Sequence, residues 1–379
     1  MRGFNVFACG LGAAILDALA PMARAGTVTT LYNFNTVHND ACEPLLAFAS
    51  GGVVYGTAPL GGKGQLGVLF SLNAATGALT HLHDFTGGSD GQNPDGVLAY
   101  DGLLYGVTEQ TPMPGYGNVY SYNPATGAFS VVYVFFPYQS GVLPGGSLIA
   151  AGGQLYGGTA YGGAKDHGGV FSVNPASGAE DFWPLPVNKG RNTFGPLLRV
   201  GGHLYGAAGF GGGSVNAGTI YKFAMQTGHI SVLYRFKGGG DGDLPDSNLV
   251  RIGMMLYGVT AFGGGGGFGT VFGIDLGTGA ETIIYRFNKA QDGQYPGTSL
   301  AEARGMIYGT TSRGGHYGAG TIFQVDPATG TYSDVYDFMG GTSDYGGPES
   351  IIYQDGTFYG TTFGVLDNDA CGTAFSYVP

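Results

Sequence analysis

The sequence predicts an all-β fold: a seven-bladed β-propeller of four-stranded blades, with the last blade closed by the N-terminal strand. Three observations predict it. An aromatic-glycine pair recurs at Tyr55-Gly56, Tyr105-Gly106, Tyr156-Gly157, Tyr205-Gly206, Tyr257-Gly258, Tyr308-Gly309 and Tyr359-Gly360. The spacings are 50, 51, 49, 52, 51 and 51 residues, a period that marks a repeat architecture. Each period also holds room and turn signals for four short strands, the content of a propeller blade.

One period shows the plan. Residues 299–303 form a first strand, turned by Arg304-Gly305 into a second at 306–311. A glycine-rich loop, 313–320, leads to a third strand at 321–325. Asp326-Pro327-Ala328-Thr329-Gly330 makes a tight turn, with Pro and Gly where such turns need them. A fourth strand, 332–338, and a second long loop complete the unit. Stacked blades bury both faces of their strands, so the strands read as small and apolar throughout. The glycine after each tyrosine is expected to admit an aromatic ring from a neighbouring sheet onto the backbone.

The ring closes by exchange of its ends. Residues 27–34 match a fourth strand, whereas residues 372–377 match a third strand at which the chain stops. The N-terminal strand is therefore expected to complete blade seven and cover its open edge. Cys42 and Cys371 fall in loops that emerge on one face of the ring, and a disulfide between them would lock it.

Residues 1–25 read as a signal peptide. Arg2 precedes an apolar run from Phe4 to Ala20, and Ala23-Arg24-Ala25 fits a cleavage site before the propeller domain, 26–379. The run is too short for a membrane span. Its removal leaves 13 basic and 25 acidic residues, a balance that disfavours nucleic acid and anionic membranes. Gly and Pro are abundant, but 25 Tyr and 24 Phe are enough aromatic residues to exclude disorder.

Ile307-Tyr308-Gly309-Thr310-Thr311, Gly314-Gly315, Gly320-Thr321-Ile322-Phe323 and Pro327-Ala328-Thr329-Gly330 together resemble the bacterial tandem-repeat family called GloVer. Asp292-Gly293 with Pro296 fits the loop of that family. The resemblance spans all seven copies and implies an exported propeller. It implies no agreed activity and no catalytic residues.

Function is expected on the long loops, which share one face, since rigid scaffolds carry binding residues on such loops. Residues that break the repeat are the candidates. Blade two carries Glu109 and blade three Tyr161, Lys165, Asp166 and His167, with Tyr138 in the loop before it. The loop before blade four, read as running from Trp183 to Pro196, adds Trp183, Lys189 and Arg191; blade six adds Arg313, His316 and Tyr317. Lys63, Lys165, Lys189, Arg191, Lys237, Lys289 and Arg313 would make a local positive patch. Aromatic rings with cations suit an acidic sugar, which Arg binds through a paired carboxylate. His167, His316 and Tyr317 would serve as acid and base in β-elimination, with Arg191 or Arg313 neutralising the developing charge. Lys165, Lys189, Tyr161, Tyr138, Glu109 and Trp183 would help bind substrate. For hydrolysis, Glu109 and Asp166 would be the carboxylate pair.

The expected protein is thus a secreted or periplasmic bacterial propeller that recognises a polysaccharide, of acidic type, in the funnel of this face. Its enzymatic reading is a uronate-type polysaccharide lyase or, second, a glycoside hydrolase. The alternative is a non-catalytic surface or protein-interaction propeller. A monomer without membrane insertion is expected, and no cofactor. Asp241-Gly242-Asp243 is the best calcium fragment, but turn capping by Asp90, Asp241, Asp292 and Asp344 is the simpler reading. His81 and His83 lack a third metal ligand nearby, and Arg251 is expected to pair with Glu302 between blades.

Overall fold

The computed structural model describes residues 26–35, 39–112, 115–136, 140–186, 188–288, 290–341, 346–363 and 370–379. The expected signal peptide, Tyr138, Lys289 and Asp344 lie outside them.

Seven antiparallel sheets of four-stranded plan follow one another along the chain. Blade one is Leu45–Ser50, Val53–Ala58, Val68–Asn73 and Leu79–Asp84, in that spatial order. In blade five the first strand is split into Asp243–Pro245 and Val250–Ile252, both paired with Met255–Phe262. Blade seven has Pro348–Gln354, Thr357–Thr362 and Ala370–Val378 from the C-terminus. Its outer strand is Thr27–Asn35, antiparallel to Ala370–Val378, with Thr27 opposite Val378 and Phe34 opposite Gly372. The N-terminus thus closes the ring as expected, one residue further along. Cys42 and Cys371 are disulfide-bonded, with Cα atoms 4.4 Å apart.

The tight turns repeat one device. Asn73 Oδ1 accepts the amides of Ala75 and Thr76, Asn123 and Asn174 do the same in blades two and three, and Asp275 does so in blade five. The Tyr-Gly glycine has a different partner from the one expected. A Cβ on Gly309 would stand 2.4 Å from the Phe323 ring, and one on Gly258 2.4 Å from Phe272. Phe323 and Phe272 are the cross-strand partners of those glycines on the third strand of the same blade. The ring is supplied within the sheet, not by a neighbouring one, because it folds across its own strand pair.

Adjacent blades are joined by a sevenfold latch. The residue two positions before each inner strand turns inward donates its N–H to a carbonyl in the previous blade's loop between second and third strands or, at the seam, at the start of the third strand. The pairs are Glu43 to Cys371, Asn93 to Leu66, Leu143 to Tyr116, Asn192 to His167, Leu244 to Ala217, Tyr295 to Phe268 and Gly347 to Ala319, at 2.6–3.3 Å. All seven donors are left-handed, from φ 53° at Asn93 to φ 61° at Asn192, although six are not glycine. That conformation costs an L-residue roughly 1–2 kcal/mol, which the latch and inter-blade packing must offset. In six blades a proline follows; in blade four Thr193 replaces it and bonds the carbonyls of Thr159 and Gly169 instead. The latch also shows that the two kinds of long loop lie on one face, since they bond to each other.

Asp90 and Asp241 cap turns, as expected. Asp241 spends one oxygen on Tyr234 Oη, at 2.7 Å, and the other on the Lys237 amide, also at 2.7 Å. Asp90 likewise holds His83 and the Thr86 amide, and His81 bonds Asp84, so the two histidines face different partners. The expected Arg251–Glu302 pair is replaced by local capping: Arg251 Nε donates to Gly253 O, and Glu302 accepts from the Gly305 amide. Each side chain reaches its own turn at less entropic cost than its neighbour across the blade gap.

Candidate functional site

The ring encloses a cavity of about 360 Å³ on its axis, bounded by the inner strands of all seven blades. The decisive residue in each blade lies two positions after the latch donor. In blade order it is Leu45, Asp95, Gly145, Phe194, Asp246, Gly297 and Glu349. Leu45, Asp95, Phe194, Asp246 and Glu349 line the cavity. Gly145 stands out of its way because the Phe194 ring lies on its backbone, 2.3 Å from where a Cβ would be.

Three carboxylates therefore share a small space, and among the described residues no Lys or Arg lines it. Asp95 Oδ2 accepts the Gly146 amide at 2.7 Å. Burial nevertheless raises its pKa, outweighing the amides of Gly146 and Gly96. Burial pushes Glu349 up to about 8, helped by the charges of Glu43 and Asp95. Asp246 opens onto the cavity, yet the surrounding walls and then Asp95 push it up to about 6. Glu109, on the second strand of blade two, is pushed to about 7 by burial and then Asp95. The site is electronegative and holds part of its carboxylate set protonated near neutral pH.

Repeat symmetry places a broken collar on the long-loop face. Five residues after six of the seven repeat tyrosines, the chain at or just past the second strand presents a large exposed side chain: Leu60, Tyr161, Phe210 and Phe262, with Gln110 in blade two and Arg313 in blade six. Phe262 is 46% and Tyr161 43% exposed. Phe262 pairs with Asp243, three residues before Asp246, so that carboxylate is at most about 11 Å further along the chain. A second cavity of about 300 Å³ lies on the tight-turn side of blades one and two, walled by Phe48, Tyr55 and Tyr100.

The expected site residues are dispersed over the same face. His167 is a latch position, half-buried between blades three and four, with its carbonyl held by Asn192 and its Nδ1 buried without a partner. Arg191 bonds Asn216 at 3.3 Å and lies 5.5 Å over the Phe210 ring. Lys189 turns away from the face and donates to the Ile230 carbonyl. Asp166 accepts the Gly162 amide in its own loop, next to exposed Lys165. Trp183 belongs to the outer strand of blade three, Glu180–Pro184, not to the loop, and packs on Phe223 at 4.9 Å. His316 and Tyr317 are exposed on blade six, ring edge to ring face, and the His316 amide donates to Asp337. Arg313 lies 5.9 Å over Tyr295. None of these residues lines the axial cavity, and Glu109 alone is electrically coupled to it. Of the expected positive patch, Lys63 is paired with Asp84 at 3.6 Å and Lys237 lies over Tyr234.

Asp95, Asp246 and Glu349 are not apparent from the long loops, because they stand in the first-strand column of the repeat. The column two residues after the latch donor holds acid, glycine and apolar side chains, and that irregularity is the signal.

Three matches to the family model described as the Gloeobacter/Verrucomicrobia repeat cover residues 19–183, 95–262 and 251–379. No curated protein matches the chain. Among solved structures, the extracellular domain of BT4673 from B. thetaiotaomicron is similar with a TM-score of 0.61 at 12% identity, over 91% of this chain. This chain spans only 39% of that one. An oligogalacturonate lyase in complex with manganese is similar with a TM-score of 0.57 at 13% identity, covering 93% of each chain. At these identities the likeness is one of fold.

Proposed function

This chain belongs to the Gloeobacter/Verrucomicrobia repeat family, and from that premise we propose that it is an exported propeller that binds a saccharide across its long-loop face. One observation carries the reading: blades one, three, four and five expose Leu60, Tyr161, Phe210 and Phe262 at equivalent repeat positions, and the charged groups of the axial cavity are carboxylates. Aromatic faces take the C–H side of a sugar ring, and carboxylates accept its hydroxyls; a few convergent polar groups in a concave, largely apolar site are the usual plan of a ligand pocket. The fold shared with a protein named as an oligogalacturonate lyase supports carbohydrate as the ligand class. The Cys42–Cys371 disulfide and the expected leader at 1–25 support an oxidising, extracytoplasmic setting. Over the cavity the bound unit is neutral or amine-bearing, because an acidic unit would meet Asp95, Asp246 and Glu349.

Calorimetric titration with a panel of neutral, amino and acidic oligosaccharides tests this. Tyr161→Ala and Phe262→Ala are each expected to weaken binding about tenfold. Absence of binding to every class, or variants that bind as the wild type does, would remove the reading.

A second reading, hydrolysis, is favoured by one observation. Glu109, pushed up to about 7 by burial and then by Asp95, keeps a proton near neutral pH, one condition for a general acid. Release of reducing ends that disappears in Glu109→Gln is the expected outcome; retention of release would exclude that role.

A further inference from the structure

The junction of blades five and six carries side chains that the ring itself does not require. Tyr295 is a latch donor, left-handed at φ 55°, yet the same bond is made by Gly347 in blade seven. Holding a tyrosine there costs roughly 1–2 kcal/mol against glycine, so the latch does not account for the ring. The Tyr295 ring meets Phe262 and Phe268 nearly edge-on, each at 5.9 Å, and the Arg313 guanidinium lies 5.9 Å from its centre. Phe262 and Arg313 are exposed. The ion pairs among the described residues are Lys63–Asp84, His81–Asp84 and His83–Asp90, and none involves Arg313. Stacking on an aromatic ring orients a guanidinium while leaving its donor fork open to a planar anion.

We propose that this junction is a subsite for an anionic sugar unit, whose ring stacks on Phe262 while its carboxylate or sulfate is held by Arg313. The inference rests on the saccharide reading above and adds to it where charge on the polymer is read. The axial carboxylates repel such a unit, so the acidic unit sits at the rim of blade six and an uncharged one over the cavity. An unsupported lysine could not replace the fork, since a carboxylate takes two parallel N–H bonds from arginine and one from an ammonium.

Affinity is measured for matched oligosaccharides with one uronate, one sulfate or no charge, with wild type, Arg313→Gln and Arg313→Lys, after equal thermal midpoints have shown all three folded. The charged sugars are expected to bind more tightly than the neutral one. Arg313→Gln should lose at least about tenfold on them and stay within about twofold on the neutral sugar. If the charged group is a carboxylate, Arg313→Lys loses nearly as much as Arg313→Gln; if it is a sulfate, the tighter arm of the panel identifies it. Equal wild-type affinity for charged and neutral sugars, or equal losses on both in Arg313→Gln, overturns the subsite while leaving the saccharide reading intact. No binding of any sugar brings down both.

Discussion

Two positions in every inner strand, two residues apart, behave in opposite ways. At the first stand Glu43, Asn93, Leu143, Asn192, Leu244, Tyr295 and Gly347, chemically unrelated, yet all with the same left-handed backbone and the same bond to the previous blade. At the second, Leu45, Asp95, Phe194, Asp246 and Glu349 line the axial cavity, while blades three and six have glycine. The repeat therefore stores its architecture in main-chain bonds, which tolerate almost any side chain. The adjoining column is thereby released to set the chemistry of the cavity. The closing seam adds a covalent bond because there the latch joins two chain ends, not consecutive segments.

The largest test of this division is at the seam. Cys42→Ser should lower the unfolding free energy by about 2–5 kcal/mol in denaturant titration, since the bridge spans 329 residues. An unchanged midpoint would mean that the latch and the Thr27–Asn35 strand suffice alone. Next is Gly309→Ala, whose new methyl must displace the Phe323 ring; a loss of about 1–3 kcal/mol is expected, and a neutral result would contradict the packing described for the Tyr-Gly pair.

The cavity column should instead respond to pH. Glu349 at about 8 and Asp246 at about 6 lie above their ordinary values of 4.5 and 3.8. Between those limits the folded chain holds protons that the unfolded chain has released, so stability is highest at the acidic end of the window and is lost as pH rises through the folded values. Melting curves from pH 5 to 8 should fall accordingly. Glu349→Gln should flatten the fall and raise the midpoint at pH 8 by roughly 2–4 °C. A wild-type curve that rises over this range would show the carboxylates to be favourably paired. The smallest effect belongs to Arg251→Ala, expected within about 0.5 kcal/mol of wild type because Arg251 only caps its own exposed turn.

The ring was legible because its determinants are local and repeated: Tyr-Gly spacing, Asx turns and a third-strand ending at Tyr377 without a successor. The disulfide followed from topology. The partner of the Tyr-Gly glycine was misread because spacing cannot say whether an aromatic ring arrives across a strand pair or across a blade gap. The site was harder still. Lys189 and Trp183 lie in or beside a long loop yet point into seams, where a carbonyl and Phe223 claim them. Glu109 was legible as a departure from glycine, although its perturbation comes from burial first and then from Asp95, a residue in an ordinary strand. Convergence of seven inner strands on one axis is a long-range fact that no single repeat displays.

The most direct test of the account is a crystal structure with an oligosaccharide bound. The account places a sugar ring on Phe262 or Tyr161, with a hydroxyl in hydrogen-bond range of Asp95 or Asp246. Sugar seated on the tight-turn side, between Tyr55 and Tyr100, with the collar empty would contradict it.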